Sequence, residues 1–146
     1  MDSPIGKLHI KATDRGLIAV DLEDDHTSLL TNNIVDMTII QLKAYFQGDR
    51  SMFTVPLELK GTEYQQKVWQ ALLEIPYGKT VSYKDIACKI GNPKGSRSVG
   101  GANNKNPILI IVPCHRVIGS NGELVGYGAG LDKKSILLEL ERYHSS

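Results

Sequence analysis

Five consecutive aliphatic residues, Ile108-Leu109-Ile110-Ile111-Val112, constrain this chain more than any other feature. The run has no polar face and is mostly β-branched, which predicts a strand buried in the core. It is far too short to cross a bilayer. Pro113 follows at once and, lacking an N–H, ends regular ladder pairing. The strand would therefore deliver Cys114 and His115 at its end, where a thiol and an imidazole are held rigidly. On these residues alone two readings stay open, an inert buried thiol or a reactive one.

The 146 residues suffice for one ordinary domain, or for two small lobes sharing a core. A hydrophobic content of 41% with 23% charged residues argues against disorder. Met1-Asp2-Ser3-Pro4 has neither the basic flank nor the apolar core of a signal peptide, so the chain reads as soluble and intracellular. Cysteine occurs only at 88 and 114, and His9, His26, His115 and His144 are scattered. That pattern is neither a disulfide framework nor a zinc site.

The net charge of +1 hides an uneven distribution. Residues 1–78 have a balance of −4, whereas residues 79–116 reach +6 through Lys79, Lys84, Lys89, Lys94, Arg97, Lys105 and Arg116 against Asp85 alone. A basic central third suits a phosphate-facing surface, and a solvated face without a ligand is the equal alternative.

The first half predicts a small sheet and one helix. Lys7–Lys11 and Gly16–Leu22, joined by Thr13-Asp14-Arg15-Gly16, read as a hairpin. Asp36–Phe46 reads as a helix with Met37, Ile40 and Tyr45 on its apolar face and Gly48 as its stop. Phe53–Leu59, carrying Pro56, reads as an extended edge or connecting segment. From Gly61 onward, Thr62 can cap a helix whose apolar positions are Tyr64, Val68, Trp69, Leu72 and Leu73, with Trp69 in the core. Ser82-Tyr83-Lys84-Asp85 resembles a capping box that opens a short helix to about Ile90.

A Gly/Pro turn and a second helix from Ser96 to about Lys105 complete a helix-turn-helix pattern, which as spacing alone is weak. That second helix is made of Ser96, Ser98, Gly100, Gly101 and Ala102, so another surface can approach its backbone. Arg97 stands out from it. A last helix, N-capped by Asp132, places Glu141 beside Leu137 and Leu138. Such a carboxylate is either at the rim or buried with a partner.

Pro113-Cys114-His115-Arg116-Val117 resembles the motif of the O6-alkylguanine-DNA alkyltransferase family. Ile75-Pro76-Tyr77-Gly78, Thr80-Val81-Ser82-Tyr83, Asn92-Pro93-Lys94, Arg97, Val99-Gly100-Gly101-Ala102 and Asn106-Pro107 follow the family's order and spacing. The match is strong over residues 61–141. It is looser over 1–60, through Ser3-Pro4-Ile5-Gly6 and Ala44-Tyr45-Phe46.

The resemblance implies that Cys114 accepts an alkyl group from O6 of guanine, once and irreversibly. It leaves O4-alkylthymine open as a second substrate. In this reading His115 draws off the thiol proton through an ordered water, Glu141 orients the pair, and Asn106 braces the site. Tyr83 turns the target phosphate and assists protonation of the departing guanine. Arg97 fills the gap left by a flipped base, on a DNA face with Ser96, Ser98, Gly100, Lys94, Lys105 and Tyr83. Tyr127 covers the base, the Gly128 N–H reaches O6, and the Val117 carbonyl reaches the exocyclic amine.

The chemistry agrees with these roles. A thiol with an ordinary pKa of about 8.5 is mostly protonated at neutral pH, and an imidazole backed by a carboxylate corrects that. A base inside a duplex must be flipped out before it can react. The product thioether is one that nothing in this chain can cleave. Two departures from the family matter. Gly128 and Ala129 stand where many members carry other residues, and no cysteine precedes Cys88, so the N-terminal zinc of some relatives is not expected. Cys88 itself reads as a small core residue.

The expected architecture is α/β. A small N-terminal lobe with an antiparallel sheet (ribonuclease H-like, 1–60) precedes a mainly α lobe with the helix-turn-helix (winged-helix-like, 61–146). The expected protein is a cytoplasmic monomer, nuclear if the source is eukaryotic, which binds double-stranded DNA containing O6-alkylguanine and needs no cofactor, metal or membrane. Two rivals are a non-catalytic binder of alkylated DNA, against which Cys114 itself argues, and a cysteine hydrolase built on Cys114 and His115. Turnover separates the three: one, none or many.

Overall fold

The computed structural model describes residues 1–22 and 32–145; His26 lies outside them. In the first half β1 (Asp2–Ser3), β2 (Gly6–Ala12) and β3 (Leu17–Leu22) form an antiparallel sheet in that order, followed by α1 (Asn33–Phe46). The hairpin holds as expected, with Leu8 opposite Leu22 and Ile10 opposite Val20. Thr13 closes its turn: its Oγ1 accepts from the Arg15 and Gly16 amides while its N–H donates to the Gly16 carbonyl.

α1 begins earlier than the spacing predicted, because the Asn32 side chain accepts from Val35 N at 2.9 Å and caps it. Its buried face is also different. Val35, Thr38, Gln41, Leu42 and Tyr45 point inward, whereas Met37 and Ile40 face outward. Two of the buried positions are polar, and both are satisfied. Thr38 donates to the Ile34 carbonyl, and the Gln41 amide exchanges two hydrogen bonds with Thr54. Gly48, at φ +82°, takes the left-handed conformation that stops the helix.

The second half comprises α2 (Glu63–Leu73), β4 (Val81–Ser82), α3 (Tyr83–Lys89), α4 (Ser96–Asn104), a 3-10 turn at Cys114–Arg116, β5 (Val117–Ile118) and α5 (Leu131–Ser145). Thr62 and Ser82 both make the reciprocal capping box that their sequences encode. Trp69 is in the core, donating its indole N–H to the Ala102 carbonyl at 2.9 Å, and thereby ties α2 to α4. Leu73 faces outward, contrary to expectation. Asp132 sits within the first turn of α5, not at its cap.

The aliphatic run is the largest correction. All five side chains from Ile108 to Val112 are buried, yet only Ile108 pairs with another strand segment, as an isolated parallel bridge to Val20. The rest of the run turns. The Ile111 N–H reaches the Leu109 carbonyl at 2.8 Å across Ile110, whose φ of 73° is rare for a β-branched residue. A second tight turn spans Pro113 (φ −82°, ψ 63°), where the Cys114 N–H donates to the Val112 carbonyl. Asn106 closes the loop from inside, donating to the Val112 carbonyl at 2.8 Å and accepting from Ile108 N at 2.9 Å. Side-chain amide and local turns thus satisfy the buried backbone that a ladder would otherwise have satisfied. Burial was legible in the run; extended conformation was not implied by it.

Candidate active site

Cys114 emerges from these turns as the first residue of the 3-10 turn and is only 2% exposed. Burial pushes its thiol up to about 11; a hydrogen bond from Asn106 and the charge of Lys134 offset part of that. The resting thiol is therefore protonated at neutral pH and needs a base.

His115 is the next residue along the turn. Its Nε2 lies 2.6 Å from Glu141 Oε2, and both side chains are fully buried. Burial alone would raise the Glu141 carboxyl, but hydrogen bonds and charge from His115 and Arg116 outweigh it and hold the group down at about 2. Glu141 is ionised, so Nε2 must carry the proton that it donates. Burial also lowers the His115 pKa, against the hydrogen bond and charge of Glu141, which keeps the ring neutral at pH 7. Nδ1 is then the basic nitrogen, and it has no hydrogen-bond partner among the described residues.

Three further donors converge on Glu141. Arg116 grips both oxygens, Nε to Oε1 at 2.8 Å and Nη2 to Oε2 at 3.0 Å, while its Nη1 donates to the Ile75 carbonyl. The Tyr45 hydroxyl donates to Oε2 at 2.6 Å, and Gly78 N reaches Oε1 at 3.4 Å. The carboxylate that the sequence placed on or beside an apolar face is buried with partners. Arg116 is a correction: counted in the basic third, it is buried, stacks over Tyr77 at 5.7 Å and cannot face a phosphate.

Lys134 was missed altogether. It shares the buried face of α5 with Leu137 and Glu141, and donates from Nζ to the carbonyls of Val117 at 2.5 Å and Val125 at 2.8 Å. Burial lowers its pKa to about 8. The available signal was its i, i+3, i+7 spacing with Leu137 and Glu141, masked by the rarity of buried lysine.

A pocket of about 320 Å³ opens beside Cys114, lined among others by Asn103, Asn106, Leu109, Gly128 and Ala129. Asn103 is buried, and its amide donates to the Cys114 carbonyl at 3.4 Å. Tyr127 is buried next to this site, its hydroxyl without a hydrogen-bond partner among the described residues. Tyr83 reaches over from the start of α3 and donates to the Val125 carbonyl at 2.7 Å, with its ring 5.9 Å from Lys134 Nζ. Gly126, at φ +63°, permits that approach: a β-carbon there would stand 3.0 Å from the Tyr83 hydroxyl. Of these residues Gly128 shares the pocket with Cys114, while Lys134 ties the Val125 carbonyl to that of Val117 in β5.

Arg97, Ser98, Gly101, Lys94 and Lys105 are exposed, and Ser96 and Gly100 are partly so. Nothing lies within 4 Å of where a β-carbon on Gly101 would stand. Cys88 is exposed on α3, which corrects its expected place in the core. Among the described residues no cluster of three or more His, Cys, Asp or Glu could hold a metal, and no helix is long and apolar enough to cross a membrane.

Two family models match the chain: the 6-O-methylguanine DNA methyltransferase ribonuclease-like domain over residues 1–59, and the DNA binding domain of the same family over residues 63–143. The methylated-DNA–protein-cysteine methyltransferase of Mycobacterium leprae is 49% identical, over 98% of this chain and 90% of the relative. That of Methanosarcina acetivorans is also 49% identical, over 96% and 94%. The solved structure of Mycobacterium tuberculosis OGT in complex with DNA superposes with a TM-score of 0.91 at 47% identity, covering 99% of this chain and 91% of that one.

Proposed function

Since this chain belongs to the 6-O-methylguanine DNA methyltransferase family, we infer that it repairs DNA by direct reversal, moving a methyl group from O6 of guanine to its own Cys114. The observation that carries the assignment to Cys114 is the relay behind it: a buried thiol on a pocket wall, a neutral His115 and an ionised Glu141.

The step needs these groups, a bridging water and one proton for the departing base, equal to the one that His115 takes from the thiol and gives back to solvent. Cys114 gives its proton, through water, to Nδ1 of His115, and Glu141 stabilises the imidazolium. The thiolate attacks the methyl carbon; the S–C bond forms as the C–O6 bond breaks, and its electron pair stays on guanine. Tyr83 assists return of a proton to the departing base. The thioether persists, so each molecule reacts once. In this reading Tyr127 covers the base, the Gly128 N–H and the Val117 carbonyl hold its O6 and exocyclic amine, and Asn106 braces the turn before the thiol.

The substrate is the damaged base in double-stranded DNA. α4 faces it with Ser96, Ser98 and Gly100, Lys94 and Lys105 meet phosphates, and Arg97 occupies the stack after the base is flipped. The protein acts as a monomer in the compartment that holds the DNA, the cytoplasm in a bacterium or archaeon.

Intact-mass measurement after incubation with a duplex containing O6-methylguanine tests this reading. The protein should gain a single methyl, mapped to Cys114, and stop there. Cys114→Ser should abolish the gain while retaining affinity for the damaged duplex. A methyl on the exposed Cys88, or repeated turnover, would overturn the assignment.

A further inference from the structure

Glu141 receives more hydrogen bonds than orienting one imidazole requires. Its Oε2 takes both His115 Nε2 and the Tyr45 hydroxyl, each at 2.6 Å, as well as Arg116 Nη2 at 3.0 Å. Arg116, which also holds Oε1, already fixes the plane of the carboxylate. Tyr45 arrives from α1, 96 residues away in sequence, and is fully buried. Its ring packs among Phe46, Phe53 and Tyr77, a place that phenylalanine would fill equally. The hydroxyl is therefore surplus to packing and to orientation alike.

We propose that Tyr45 is a positioning residue of the proton relay: its hydroxyl draws charge from the Glu141 oxygen that His115 uses, and so sets how firmly His115 holds a proton. The first lobe thereby tunes a reaction carried out in the second. The proposal rests on the alkyl-acceptor reading of Cys114 given above.

The physical argument is competition for one oxygen. Two donors on Oε2 each receive a share of its charge, so removal of one strengthens the other. Without the Tyr45 hydroxyl the imidazolium is better stabilised, and His115 stays protonated to higher pH. The other charged or titratable groups facing this pair are Arg116, Lys134 and Tyr77, with Cys114 and Tyr127 at the pocket. Tyr45→Phe changes none of them.

The test is a histidine-selective NMR titration of unreacted Tyr45→Phe protein, together with the pH profile of its second-order methyl-transfer rate. The His115 titration and the acid limb of the profile should both move up by about one pH unit, beside the loss in Tm that removing a buried hydrogen bond to a carboxylate brings by itself. In a Glu141→Gln background the same change should move neither, because the shared acceptor has lost its charge. If that background does not fold, the titration of Tyr45→Phe decides alone. An unmoved titration, or slowing by one factor at every pH, makes the hydroxyl a packing element only and overturns the proposal. A wild-type protein that gains no methyl on Cys114 would sink the repair reading instead, while the His115 titration would still report on Tyr45.

Discussion

Arg97 stands exposed in the first turn of α4 between two serines, without an ion-pair partner among the described residues. A long cation on a helix otherwise made of small residues is either one more phosphate contact or a plug for the space a flipped base leaves. The two roles predict different kinetics. A phosphate contact makes Arg97→Ala weaken binding to all DNA about equally and Arg97→Lys nearly neutral. A plug makes Arg97→Ala slow transfer from duplex by about ten- to a hundredfold, as a few kcal/mol of unstacking would dictate, and spare the reaction with free O6-methylguanine. We expect the second pattern, with a smaller loss when the damaged base faces a poor partner. The alkylation rate of Cys114 on duplex, mismatched duplex and free base measures it; equal slowing on all three would place Arg97 in the pocket or the fold.

Among the elements, α4 carries an avoidable cost. Gly101 lies inside the helix, exposed, with open space where a side chain would go. Gly101→Ala should therefore raise stability by about 1 kcal/mol, visible as a higher Tm. If the small face exists so that DNA can approach the backbone, Gly101→Leu should stabilise similarly yet weaken duplex binding, read by thermal unfolding and by titration with duplex. Wild-type affinity in Gly101→Leu would remove α4 from the interface.

What was legible in the sequence divides along the same lines. The hairpin, the Thr62 cap and the Ser82 capping box are local chemistry, and they form where the residues predict. The run from Ile108 to Val112 defeated the reading because close burial is compatible with either a strand or a knot of turns, and the deciding group was the amide of Asn106. Met37 and Ile40 misled because Thr38 and Gln41, polar by type, are satisfied inside. The pairing of His115 with Glu141 could be anticipated, but Arg116 could not, because its acceptors come from elsewhere in the chain; Lys134 had only its helical spacing, which the rarity of buried lysine outweighed.

At the scale of the whole molecule, Glu141 is where the two halves of the chain are fastened, since Tyr45 comes from one and His115 and Arg116 from the other. Its carboxyl is held at about 2 against an ordinary 4.5. A depressed carboxylate adds stability that is present above the ordinary value and is lost as pH falls toward the folded one. We expect about 3 kcal/mol of stability to disappear between pH 4.5 and 2 through this group, in order of magnitude. Urea unfolding at several pH values should show it, and Glu141→Gln should be less stable at pH 7 and flatter across that window. Lys134 acts with the opposite sign. Held down to about 8 from 10.5, it costs stability at neutral pH, and the cost fades as pH rises through that interval.

α5 gives the arrangement a direction in time. A ribosome makes Cys114 well before Glu141, which follows His115 by 26 residues, an interval of about one to five seconds of synthesis. Throughout that interval the nascent chain holds a cysteine with neither carboxylate nor lysine behind it, an ordinary thiol. In the alkyl-acceptor reading the relay is assembled only when the helix from Leu131 to Ser145 docks, so a chain cut short before it should carry Cys114 yet transfer no methyl.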